Sequence, residues 1–291
     1  MSERKAVMGT ALGPMVIAAC DRYLPAGNRI TDDDLAPRLL PAPARAAVRV
    51  PFVRRFLAWG ADRWVPGLWA AMLCRKRYAD EQVRAALESG IDQVVVLGAG
   101  LDTRACRLVV PKARAYELDL AGNIARKHAR LSDVFGRLPD GLTLVPIDFD
   151  RDDVAAALAD DGFRVERPAM FVWEAVTQYL SEDGVRATLS SLSGAAPGSR
   201  LIFTYLLQDF LDGTELYGGG RMYRRFVAQQ RIFRFGLHPG DVAGLLAPYG
   251  WIEREQVGTE DYLERYVRPA GRERGLAAPT PVERFVYAEK A

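Results

Sequence analysis

"QVVVLGAGLDTRACRL", residues Gln93 to Leu108, sets an apolar run, Val94 to Leu97, directly against Gly98-Ala99-Gly100 and follows the glycines with Asp102, Arg104 and Arg107. A short continuous apolar run bounded by a turn signal reads as a strand covered on both faces. Glycines at its end let backbone N–H groups approach a ligand with no side chain between. The same texture repeats downstream. Apolar runs at 93–97, 113–118, 142–147, 169–173 and 200–205 alternate with helical patterns near 121–135, 152–160 and 182–194. This alternation predicts an α/β fold, a doubly wound sheet with helices on both faces. The runs WIEREQVG and ERFVYAEK complete it at one edge. The expected sheet has seven strands, mostly parallel, with the last strand, near 284–289, antiparallel.

Residues 1–90 read instead as helices and loops punctuated by Pro41, Pro43, Pro51 and Pro66. They are expected to form a helical cap over a core spanning 91–291, with an insertion near 206–238 as a lid over the substrate. Arg4 and Lys5 precede an apolar run, and Ile17-Ala18-Ala19-Cys20 has the look of a bacterial lipoprotein cleavage site. Gly9, Gly13 and Pro14 interrupt that run, and an amphipathic first helix is the better reading. Net charge is only +2 over 291 residues, so charge gives no pointer to nucleic acid. No stretch reaches the roughly 20 apolar residues that span a bilayer, and no membrane partner is expected. The three cysteines, Cys20, Cys74 and Cys106, lack metal or disulfide spacing and fit a reducing, cytoplasmic compartment. With two histidines in the chain, no metal site is expected.

In a doubly wound sheet ligands bind beyond the carboxyl ends of the strands. A dinucleotide turn wants a third glycine, where this chain has Thr103, and Asp102 would repel a pyrophosphate. S-adenosylmethionine carries no phosphate, and an acidic residue after the glycines suits it. The second strand ends in YELDL, placing Glu117 and Asp119 about 20 residues on, where a carboxylate takes ribose hydroxyls. The third ends in Asp148-Phe149, an acidic–apolar pair suited to an adenine amine and its ring. The fourth ends in Trp173-Glu174. Asp119 and Asp148 also fit helix N-caps and Glu174 a solvated strand end, but acids at successive strand ends are hard to ascribe to coincidence.

VVVLGAGLDTRACRL, YELDLAGNIARKHA, FVWEAVTQYLSEDGVRATL and ERYVRPAGR together resemble the leucine carboxyl methyltransferase family, most closely its bacterial branch similar to tetracenomycin-type polyketide carboxyl O-methyltransferases. The resemblance runs from about Arg75 onward. It implies the Rossmann-like fold of S-adenosylmethionine methyltransferases, with Gly98 and Gly100 lining the methionine part of the cofactor. It places Asp119 on the ribose, Asp148 and Phe149 at the adenine, and Glu174 near the cofactor's centre. Arg75 would reach the cofactor carboxylate, with Arg77 the alternative, because Lys76 stands where the family string usually has threonine. Arg231 and Arg234 replace an acidic residue that often precedes FGL, which points to an unusual substrate pocket.

The expected acceptor is a carboxylate of a small molecule or peptide. It is already ionised at neutral pH and needs a clamp rather than a base. Tyr179, Tyr205, Arg231, Arg234, Arg265 and Tyr266 are the clamp candidates. A phenol acceptor would need a base, for which His128 and His238 are the available groups. A cofactor-binding protein without turnover is the remaining alternative.

Overall fold

The computed structural model describes residues 12–110 and 112–291. Gln93–Leu97 is strand β1, buried along its whole length. It pairs in parallel with β2 (Arg114–Asp119) on one side and β4 (Met170–Trp173) on the other. β3 (Leu142–Pro146) lies outside β2, and β5 (Arg200–Leu207) lies outside β4. The two-residue strand β6 (Gly236–Leu237) pairs with the end of β5. β7 (Trp251–Val257) forms the far edge, and β8 (Glu283–Lys290) runs antiparallel between β5 and β7. The order β3-β2-β1-β4-β5-β8-β7 reverses direction between β1 and β4. That is the switch point at which open α/β sheets form their crevice, and the glycine turn lies on it. The expected seven-strand, mostly parallel sheet is present, with β6 as a short addition.

One apolar core lies on each face. Val94, Val96, Val172, Ile202 and Phe285 meet the helices Leu12–Arg22, Leu68–Glu88 and Ala121–Phe135. Val95, Phe171, Trp173, Phe203 and Val286 meet Val154–Asp160, Glu182–Ser191 and Val242–Leu246. The helices before β1 therefore cover a face of the sheet, and the helix Leu68–Glu88 also carries Arg75 to the strand ends. Ala18, Ala19 and Cys20 are buried within the first described helix. Arg4, Lys5 and the start of the apolar run lie outside the described residues, as does the beginning of the expected cap. No helix among the described residues is long and apolar enough to cross a membrane.

The segment expected as a lid has a small core of its own. Phe210, Met222, Ile232 and Phe233 pack with Val65, Leu206 and Val282. A helical turn, Gly220–Met222, widens into the π-helical stretch Tyr223–Gln229, and Phe226 stacks edge-on against Trp64. The lid segment is thus fastened to the helix Pro51–Trp64.

Gly98 fixes the turn after β1. Its φ is +70°, a region that costs an L-residue strain, and a Cβ there would run into the side chain of Val176. Gly98→Ala is expected to destabilise the protein by about 1–3 kcal/mol, read as a lowered urea midpoint. Adding Val176→Ala should recover part of the loss, since it removes the clash and leaves the backbone strain.

Candidate functional site

The glycine turn is tied to β2 by backbone and side chain together. Gly98 and Ala99 N–H both donate to the Leu118 carbonyl, at 2.7 and 3.0 Å. Gly100 N–H donates to Asp119 Oδ2 at 2.6 Å. Asp119 Oδ1 accepts from Leu120 N–H and from Asn123 Nδ2, each at 2.7 Å. Three donors on a carboxylate with about four acceptor directions leave one free. Behind it, Glu117 is fully buried against Lys127, with Nζ and Oε2 2.6 Å apart in an ionic contact outside hydrogen-bond geometry. Burial pushes the Glu117 carboxyl up to about 7 despite the lysine. Glu117 thus faces a side chain of its own chain, and Asp119 is the carboxylate at the turn.

The Asp-Thr-Arg that follows the glycines turns inward. Arg104 is fully buried and its guanidinium meets three carboxylates: Asp80 at 2.8 Å, Asp102 at 2.6 Å and Glu174 at 2.9 Å. Burial alone would lower its pKa, yet Asp102, Glu174 and Asp80 hold it above its ordinary value. Asp102 also accepts from the Arg104 backbone N–H at 2.5 Å. Burial would raise its carboxyl, but Arg104 and then Lys76 and Lys127 hold it below the usual range. Arg107 bonds Asp80 at 2.7 Å, and Asp33 takes Thr103, Lys76 and Arg107. Arg75 closes the group, donating to Glu174 at 2.8 Å and to Glu283 at 2.6 Å. Arg77 points elsewhere and pairs with Glu81.

Four cations, Arg75, Lys76, Arg104 and Arg107, here face five carboxylates, Asp33, Asp80, Asp102, Glu174 and Glu283, an excess of one negative charge. Glu283 Oε1 is buried with no hydrogen-bond partner. After Glu174 the backbone bends sharply, Ala175 having φ +59°. Thr204 of β5 holds the bend, accepting from Ala175 N–H at 2.8 Å and, through its carbonyl, from Thr177 Oγ1 at 2.5 Å. Such strain in a non-glycine residue is concentrated where function fixes the backbone. Phe149 is buried at the end of β3, and Asp148 beside it is partly exposed near Arg151.

The clamp candidates separate into groups. Arg234 donates to the Tyr179 carbonyl at 2.7 Å and to Asp150 at 2.9 Å, and Tyr179 stacks on Phe233. Arg231 is exposed, with φ +52°. Tyr205 is fully buried and donates to Gln256 at 2.7 Å. Arg265 pairs with Glu255, and Tyr266 donates to Glu81, about 9 Å along the helix from Arg75 at 1.5 Å per residue. A cleft of about 580 Å³ past the ends of β5 and β6 is lined by Gln208, Arg234, Phe235 and Leu237. It does not include Gly98, Asp119 or Glu174; Arg234 connects it to the loop after β3.

Residues 11–193 match the family model for leucine carboxyl methyltransferase. The chain belongs to the leucine carboxyl methyltransferase family. A protein of Mycobacterium avium named as an S-adenosyl-L-methionine-dependent methyltransferase is 33% identical over 218 residues, 74% of this chain and 71% of that one. A protein of the same name in Mycobacteroides abscessus is 33% identical over 240 residues, covering 75% and 72%. Among solved structures, a methyltransferase of Thermobifida fusca shares the fold at a TM-score of 0.59 and 19% identity, over 94% and 97% of the two chains. Magnesium protoporphyrin IX methyltransferase of Synechocystis, solved with bound S-adenosylhomocysteine, does so at 0.51 and 14%, over 82% and 99%.

This leucine carboxyl methyltransferase family member is an S-adenosylmethionine-dependent enzyme, and the residues at its strand ends fit that cofactor. The turn at Gly98 has no room for a Cβ, and the surplus carboxylate charge, with an unpartnered Glu283 oxygen, suits a cationic ligand. Among the described residues no group of His, Cys, Asp and Glu side chains is placed to hold a metal ion. Asn123, Asp33, Asp80, Arg104, Arg107 and Glu283 were not singled out as site residues from the sequence. The available signal was charge on otherwise apolar stretches, as in LCRKRYAD. Arg104→Met should destabilise the protein by about 3–5 kcal/mol in urea unfolding, because it removes a buried counter-charge from the buried Asp80 and from the largely buried Asp102 and Glu174. Arg104→Lys should retain only part of the stability, since an ammonium lacks the fork that reaches all three.

Proposed function

We propose that this enzyme methylates a carboxylate of a small molecule or peptide in secondary metabolism, in the manner of the polyketide carboxyl O-methyltransferases it resembles. The carrying observation is the chemistry of the strand ends: carboxylates held by arginines, with no histidine among them. His128 is exposed on the helix Ala121–Phe135, away from these groups in the hydrogen-bond network. A carboxylate acceptor needs no base, only alignment and exclusion of water.

When bound, S-adenosylmethionine supplies a methyl group on a sulfonium, and transfer leaves S-adenosylhomocysteine. Gly98 and Gly100 line its methionine part, and Arg75 takes its carboxylate. Arg75 is shared between Glu174 and Glu283, so it is already aimed at the strand ends. Asp119 holds the ribose, Asp148 and Phe149 the adenine, and Glu174, with Asp102 behind it, faces the cofactor's positive centre. The aromatic core of residues 206–238 walls off water, and Arg234 with Tyr179 is the best placed of the clamp candidates.

A second reading, transfer to a phenol, rests on one contact. His238 Nδ1 lies 3.4 Å from Asp209 Oδ1 beyond the ends of β5 and β6, an arrangement that would orient a base. The test is a methyl-transfer assay against paired carboxylate and phenol acceptors, on wild type and His238→Ala. Carboxylate turnover unaffected by His238→Ala supports the first reading; phenol turnover that falls about 100-fold or more in the variant supports the second. Asp119→Ala should weaken S-adenosylhomocysteine binding by about 1.5–3 kcal/mol in calorimetry with the fold intact. Unchanged affinity would remove Asp119 from the ribose.

A further inference from the structure

The helix Pro51–Trp64 has no fully buried residue. Its inner side, Val53, Leu57, Ala61 and Trp64, rests on the protein. Its outer side carries Phe52, Phe56 and Trp59, which are 75%, 58% and 58% exposed. With Val50 and Phe135 they make up five of the eight large apolar side chains exposed among the described residues. Exposed rings this concentrated mark a contact surface. Arg55 and Arg63 flank them, the Arg63 guanidinium lying 5.6 Å from the Trp59 ring.

At the start of this helix opens a cleft of about 380 Å³ lined by Arg22, Arg38, Arg45 and Arg49, with Tyr23, Asp34 and Pro37. Two contacts weld cleft to helix and to the fifth exposed side chain. Arg54 stacks on Tyr23 at 5.5 Å and donates to the Val48 and Arg49 carbonyls, and Arg38 stacks on Phe135 at 5.5 Å. Asp32 offsets Arg22, 3.7 Å away, and Asp34 is the single acid in the lining. From Arg45 to Trp64 there are five arginines and one acid, Asp62, which accepts from Gly67 N–H.

We propose that this face docks on an anionic phospholipid surface, with lipid phosphates in the arginine cleft and Phe52, Phe56 and Trp59 at the acyl boundary. Three features favour a lipid surface over a protein partner. The rings project from the exposed side of one helix, which suits a soft, flat surface. Trp and Phe flanked by arginine match the composition of membrane-interface helices, whose long cationic side chains reach up to headgroups. The positive charge complements anionic lipid. Lying on a membrane requires no spanning helix, and the enzyme would meet an acceptor that partitions into lipid where that acceptor is concentrated.

The full chain is tested by co-sedimentation with vesicles of phosphatidylcholine alone and of phosphatidylcholine with one-third phosphatidylglycerol. Binding is expected to the anionic vesicles only, and to fall in high salt. The variants F52S/F56S/W59S and R45E/R49E should each lower partition at least about tenfold, with thermal melting and S-adenosylhomocysteine affinity unchanged. Absence of binding to anionic vesicles, equal binding to neutral ones, or full binding by the folded variants would overturn the proposal. So would a concentration-dependent dimer, seen by ultracentrifugation without lipid and abolished by F52S/F56S/W59S, which would assign the face to a second copy.

Discussion

A guanidinium with no access to water must find acceptors for its N–H groups within the protein, and Arg104 finds three carboxylates on three separate elements. Asp80 comes from the long helix before β1, Asp102 from the turn after it, and Glu174 from the end of β4. One planar group therefore sets the distance between the helical layer, the glycine turn and the neighbouring strand. Buried ion pairs add little net stability relative to a well-packed apolar substitute, since desolvation offsets attraction. Their value is geometric, because a planar fork accepts its partners only in fixed directions.

The same group governs the electrostatics of the strand ends. Glu174 is divided between Arg104 and Arg75, and Arg75 between Glu174 and Glu283, so no charge in the chain can move without the next. The surplus negative charge sits at the switch point of the sheet, between the glycine turn that Val176 packs against and the bend after Glu174 that Thr204 braces. A cationic ligand arriving there meets a field already organised, with little reorientation left to do.

The sheet was legible because its strands are continuous apolar runs, a pattern that survives without knowledge of their neighbours. Asp119, Asp148 and Glu174 were legible because strand ends are where polarity returns. Arg75 was singled out through the family string, and the structure separates it from Arg77 by burial and by partners, Arg75 meeting Glu174 and Glu283 where Arg77 meets Glu81. The rest of the charge network was not legible for a physical reason. Asp33, Asp80 and Arg107 acquire meaning only from charged partners 24 to 74 positions away, and sequence spacing carries no trace of such pairings. Tyr205 shows the converse: a tyrosine at a strand end invites a ligand role, while its hydroxyl here serves Gln256 of β7. The segment 206–238 was read only as an insertion over the substrate; its π-helical and irregular course was not legible, because it follows an aromatic core that periodicity does not encode.

β8 is the last strand in sequence, yet it lies inside the sheet, and its antiparallel course brings Glu283 to the carboxyl end of β5. Arg75 thus waits for a partner 208 positions further on. The nascent chain can pair β1 with β2 and β4 early, but β7 has no neighbour until β8 slots between it and β5. Such non-local pairing is slow, because a long loop must close before any contact rewards it. Until that insertion Arg75 lacks one of its two counter-charges, so a chain that stalls beforehand has a formed glycine turn but an incomplete charge pattern at the strand ends.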